Sequence, residues 1–176
     1  MKCYLRYIVL LLLFTCYLGA KAGERVNIKL GYSNNRTAIA NKSTISIKGE
    51  ANVCFLTYFE VGFYLGFGGY MNIIEQTSNS VAVSYHSSNT YGFQTAIQVL
   101  PIFVKDSTLR VNCYLSGKLG GINVWNKNFK NTPDKYFSDW GIYIGASYYI
   151  GRNWGLYSEY GYGSFTRLRY GLVFRF

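Results

Sequence analysis

Beyond residue 23 the chain alternates apolar and polar positions with a period of two. Val26, Ile28, Leu30 and Tyr32 interleave with Arg25, Asn27, Lys29 and Gly31. The same rhythm runs through 45–55, 61–67, 91–99, 109–115, 140–148, 154–162 and 168–176. Side chains that switch faces at every residue are the mark of β-strands. The pattern predicts eight strands. Each is roughly ten residues long, enough for a tilted strand to cross a bilayer. Short connections at 56–59, 105–108 and 151–153 alternate with longer ones at 34–43, 74–89 and 126–138, and the last, 163–166, is short. Short turns at one end and long loops at the other predict an up-and-down antiparallel barrel with both termini on the short-turn side.

Alternation alone does not say which residue set faces outward. Roughly forty large apolar side chains would overfill the interior of an eight-stranded barrel, which holds little beyond its own side chains. The alternate set is rich in Gly62, Gly66, Gly68, Gly92, Gly141, Gly145, Gly155, Gly161 and Gly171. Glycine suits a narrow lumen better than a surface in water. The stretch around Trp140–Tyr149 also shows no charge on its alternate face. These features predict an all-β, eight-stranded transmembrane β-barrel with the apolar set facing lipid and a polar lumen. Tyr32, Tyr91, Trp140, Tyr162 and Tyr170 then fall near strand ends on the lipid-facing parity, where amphipathic rings favour the headgroup level.

Composition narrows this further. The 176 residues are 49% hydrophobic and 19% aromatic, with only 2 prolines, which excludes a disordered chain. Tyr, Phe and Gly take the place of the Ala, Leu, Glu and Lys of a helical bundle. The first segment reads as a secretory signal over residues 1–22: Lys2 and Arg6, an apolar run from Ile8 to Phe14, and Ala20-Lys21-Ala22 as the cleavage site. Phe14 before Cys16 disfavours a lipid-attachment site. Residues 23–176 form the expected barrel domain. Loss of the signal reduces the net charge from +10 to +7, with 15 basic and 8 acidic residues left. Those basic residues divide between lumen and loops, and no single stripe suits nucleic acid.

Tyr170, Leu172, Phe174 and Phe176 alternate up to a final aromatic residue. This closing strand resembles that of small bacterial outer-membrane β-barrels, the OmpA transmembrane domain, OmpX and opacity-protein group, from Gram-negative bacteria. The resemblance is architectural and extends over the whole of 23–176. It implies an outer-membrane location and a C-terminal signal, Tyr170, Leu172, Phe174 and Phe176, read by the barrel-assembly machinery. It also implies contact with outer-membrane lipid and lipopolysaccharide, a monomeric state, and a structural or surface-interaction role. A narrow, porin-like channel for ions or small solutes is the alternative, and lipid A modification a more remote one. The resemblance does not extend to the peptidoglycan-binding domain of full-length OmpA, so no cell-wall tethering role is expected.

The lumen parity collects Lys29, Lys48, Glu50, Glu60, Arg110, Lys118, Glu159, Arg167, Arg169 and Arg175. Charges removed from bulk water must be paired or wetted. The short turn at 163–166 sets Glu159 against Arg169, so these two are expected to pair, with Lys29 within reach across the closing seam. The network reads as a plug in preference to a gate. Cys54 falls on the lumen parity and Cys113 on the lipid parity of non-adjacent strands, which predicts no disulfide. The lone histidine, His86, lies among Ser84, Ser87 and Ser88 in an expected polar loop without a carboxylate partner, so no catalytic site is expected. No metal-ligand spacing or cofactor motif is present. Arg36, Lys42, Lys127, Lys130 and Lys135 fall in or beside the long loops. There they could meet lipopolysaccharide or an anionic host-surface ligand.

Overall fold

The computed structural model describes residues 25–35, 44–55, 58–77, 80–103, 110–126 and 135–176. Eight strands form one closed antiparallel meander: β1 (Arg25–Asn35), β2 (Thr44–Phe55), β3 (Phe59–Thr77), β4 (Ser80–Gln98), β5 (Val111–Asn126), β6 (Lys135–Tyr149), β7 (Trp154–Gly163) and β8 (Thr166–Arg175). A single helical turn, α1 (Leu100–Phe103), lies between β4 and β5. The seam closes β1 against β8, with Leu30 opposite Leu172 and Tyr32 opposite Tyr170. Every backbone edge in the wall therefore finds a partner, which a lipid-embedded strand requires.

The predicted parity is what the wall adopts. Ile47, Phe67, Phe93, Leu119, Ile142, Ile144 and Tyr160 stand exposed on the outside. Lys29, Glu50, Gln94, Tyr114, Lys118, Glu159 and Arg169 are buried on the inside. An apolar exterior around a charged interior inverts the plan of a water-soluble barrel and makes this an eight-stranded transmembrane β-barrel. Tyr32 and Tyr170 lie 6.3 Å apart, and Trp140 and Tyr162 5.8 Å apart, toward one end. Tyr148, Trp154 and Phe176 are exposed toward the other.

Several expectations are corrected. The stretch 74–89, expected as a loop, is mostly strand: β3 and β4 stay paired from Phe59–Ile97 out to Thr77–Ser80. They outrun their neighbours, because β2 pairs β3 only as far as Ser46–Gly68 and β5 pairs β4 only as far as His86–Asn126. Outside the bilayer both faces of a hairpin are wet, so the apolar alternation that marks a membrane strand is not required there. His86 accordingly sits in β4 and not in a loop. β6 starts at Lys135, which brings Asp139 onto the lumen face, where it is 3% exposed. The alternate face of that strand does carry a charge. Residues 1–22 with the expected signal, the expected connection at 105–108, and Arg36, Lys42, Lys127 and Lys130 lie outside the described residues. Lys135 opens β6, and its side chain is likewise outside the description.

Candidate functional site

The lumen is built by tyrosines that lie across glycines. Tyr114 on β5 faces Gly145 on β6, and Gly145 faces Glu159 on β7. A Cβ on Gly145 would collide with the Tyr114 ring. With no side chain there, the ring passes over the middle strand and its hydroxyl donates to Glu159 Oε1 at 2.9 Å. Tyr64 on β3 does the same over two strands. It faces Gly92, which faces Gly120, and its hydroxyl reaches Asp139 Oδ2 on β6 at 2.9 Å. A Cβ on Gly92 or Gly120 would meet that hydroxyl oxygen at 2.8 and 2.7 Å. The aromatic ring covers the glycine backbone and fills the narrow bore.

The charges gather where five strands converge. Glu159 on β7 accepts from Lys29 Nζ on β1 at 3.0 Å, from Lys118 Nζ on β5 at 3.2 Å and from Arg169 Nη1 on β8 at 2.7 Å. Glu50 on β2 accepts from Lys118 Nζ at 2.5 Å and from Gln94 Nε2 at 2.9 Å, and it contacts Arg169. The Lys29 ammonium also sits 3.9 Å from the centre of the Tyr114 ring. All five ionic side chains are nearly excluded from solvent. In such a setting each carboxylate holds the cations and each cation holds the carboxylates, since any one left alone is costly. Glu159 and Arg169 are directly opposed across β7 and β8, the pairing expected from the short turn.

The remaining lumen residues are placed differently. Lys48 is buried, but it donates to Thr166 Oγ1 at 2.7 Å instead of to a carboxylate. Glu60 accepts from Asn27 near the end that carries the termini of the sheet. Arg175 stacks on Tyr149, 4.0 Å from the ring centre, at the same end. Two more expected members are outside the lumen altogether. Arg110 is exposed, since it lies just before the first β5 residue and so past the wall. Arg167 is exposed because the β1–β8 register jumps from Asn34–Leu168 to Asn35–Thr166 and passes over it. That bulge resets the parity, and Phe165 and Thr166 turn inward. Phe165 caps the lumen with Ile122 and Val124, while Tyr149, Tyr157 and Val173 close it at the opposite end.

The alternating pattern does not point to Asp139, to Tyr64 or to Tyr143, whose hydroxyl donates to Thr166 O at 3.1 Å. With β6 beginning at Lys135, the spacing of Asp139 from Trp140 and Ile142 puts it on the lumen face. The tyrosines carry no charge pattern, and only the register reveals the glycines beneath them. Cys54 is buried on β2 and Cys113 half-buried on β5, and neither is in a disulfide. Among the described residues no group of His, Cys, Asp and Glu could hold a metal.

This architecture defines the class: a small eight-stranded barrel with an apolar exterior and a charge-filled lumen. Solved structures share its fold. Ail, the attachment invasion locus protein of Yersinia pestis, superposes with a TM-score of 0.55 at 12% identity over 87% of this chain and 99% of its own. Neisserial surface protein A gives 0.53 at 16% identity over 87% and 96%. The chain thus has the fold of small bacterial outer-membrane β-barrels. No protein-family model matches it, and no curated protein sequence does either.

Proposed function

We propose that this chain is an integral outer-membrane β-barrel with a closed lumen, which supports the envelope and presents its loops to surface partners. The observation that carries the reading is the ionic network at mid-barrel, where Glu50 and Glu159 are each held by more than one cation. A bore filled by mutually paired charges suits a plug, and an apolar coat suits lipid. Catalysis has no part in this reading. Export by the residue 1–22 signal and insertion through the closing strand, Tyr170 to Phe176, belong to the same proposal, as do a monomeric state and contact with lipopolysaccharide.

The surface role rests on Arg36, Lys42, Lys127, Lys130 and Lys135, which fall in or beside the long connections of the sequence pattern. Ail has been crystallised with the heparin analogue sucrose octasulfate. A barrel of the same fold can therefore hold a sulfated anion, and basic loops are the chemistry for it. The test is a deletion strain assayed for detergent and antibiotic sensitivity and for adhesion to host cells, alongside a strain with the five basic residues replaced by glutamine. Lost barrier function with deletion alone supports the structural role. Lost adhesion in both strains supports the loops. Normal phenotypes throughout would overturn the proposal, as would a stable ion-selective conductance of the purified barrel in planar bilayers.

A further inference from the structure

At the end of the barrel where β1 begins and β8 stops, the charged side chains that the described residues expose are all basic. Arg25 opens β1, Arg110 immediately precedes β5 and Arg152 lies in the connection between β6 and β7. All three are exposed. Arg175 is near them on β8 but is held over the Tyr149 ring. These positions follow the half of the rim that runs β5, β6, β7, β8, β1. Backbone bonds tie the half together: Tyr149 N to Arg110 O at 2.7 Å, Arg175 N to Asn153 O at 2.8 Å and Val26 N to Phe176 O at 3.0 Å. Among the described residues none of the three exposed arginines has a carboxylate partner. Glu60, the one described acidic side chain at this end, is buried against Asn27. Glu24, Lys105 and Asp106 lie outside the described residues.

The same half-rim carries a lip of exposed apolar side chains: Val111, Tyr148, Ile150, Trp154 and Phe176. Ile150 and Trp154 flank Arg152, and Val111 follows Arg110 directly. An apolar lip marks where hydrocarbon gives way to headgroups. Guanidiniums just past it are therefore level with lipid phosphates. Arg25 and Arg110 share the parity of the lumen, but they lie one step beyond the last buried inward residues, Asn27 and Asn112, and so emerge from the bore. Arginine, with its planar fork of donors, matches a phosphodiester better than lysine does. The ionic network of the lumen, where carboxylates are the partners, instead uses two lysines, Lys29 and Lys118, with Arg169.

We infer that Arg25, Arg110 and Arg152 form a binding arc for anionic phospholipid headgroups of the leaflet facing the short turns. The inference rests on the membrane reading above. The arc selects phosphatidylglycerol-type lipids over zwitterionic ones, because an unpaired positive rim gains from net negative charge and little from a neutral headgroup.

The experiment is native mass spectrometry of the purified barrel, released from detergent micelles containing phosphatidylglycerol or phosphatidylethanolamine. The wild type should retain phosphatidylglycerol with a preference of about tenfold at low salt, falling as salt rises. The triple variant Arg25→Gln, Arg110→Gln, Arg152→Gln should lose the preference, and Arg167→Gln, at the other end, should keep it. Heat-modified migration on gels confirms that each variant is folded. No preference in the wild type overturns the arc. Equal loss of bound lipid on adding millimolar inorganic phosphate would also overturn it, by assigning the site to a free anion. Retention of isolated cell-wall sacculi by the wild type alone, without lipid preference, would assign the arginines to the wall. A barrel that stays soluble without detergent would end the membrane reading itself, whereas a detergent-dependent barrel without preference ends only the arc.

Discussion

Glu159 is where the lumen is most sensitive to a single atom. Its two oxygens serve Lys29, Lys118, Arg169 and the Tyr114 hydroxyl. Glu159→Gln keeps the shape but leaves three cations facing one remaining carboxylate, Glu50. Breaking a buried ionic cluster from one side costs roughly 3–5 kcal/mol. Urea unfolding in lipid vesicles, followed by tryptophan fluorescence, should show a lower midpoint for this variant. An unchanged midpoint would mean that water screens the network. Part of this site is legible in the sequence. Glu159 and Arg169 flank a short turn, and hairpin register does the rest. The arrival of Lys118 from β5 is not legible in the same way, because contacts across a bore depend on closure and shear. Arg167 shows the converse: strict alternation puts it inside, and one bulged residue puts it outside.

Among the elements, glycine and tyrosine act as one unit across neighbouring strands. Gly145→Leu would force the Tyr114 ring off its path to Glu159, an overpacking cost of roughly 1–3 kcal/mol. Gly117→Ala is the control, since a Cβ there meets only the Thr95 hydroxyl oxygen, at an ordinary 3.7 Å. Folding yield into vesicles, read from the heat-modified gel band, should fall for the first and hold for the second. The β3–β4 hairpin predicts the opposite behaviour. Among the described residues its outer part has no β2 or β5 partner beyond Gly68 and His86. Excising 72–84 and rejoining the strands with a tight turn should shift stability by less than roughly 1 kcal/mol, since the wall stays complete. A failure to fold would place that hairpin in the folding nucleus. The strands inside the bilayer could be read from sequence because lipid on one side and a polar bore on the other enforce a period of two. The hairpin beyond it could not, because water on both sides imposes no such period.

For the whole molecule, the apolar residues form a coat and the polar ones the interior, so a mean hydropathy of only +0.04 accompanies a membrane fold. The two sets cancel in the average, and only their phase reveals them. That arrangement fixes where tryptophan must sit. Trp140 and Trp154 are both exposed on the outer face, one beside Tyr162 toward the loop end and the other toward the end where β8 stops. Indole rings favour the headgroup boundary, so each should lie near one edge of the hydrocarbon and neither near its centre. Single-tryptophan variants, with the other tryptophans replaced by phenylalanine, can be folded into vesicles of brominated lipid. Bromines close to the headgroup should quench both emissions more than bromines at the acyl-chain ends. A lumen-facing ring would escape both lipids, because the wall separates it from the acyl chains. Stronger quenching from the bilayer centre would move the belt along the barrel axis. It would also displace the arginine half-rim from the phosphates, so this measurement fixes the depth on which the headgroup arc depends.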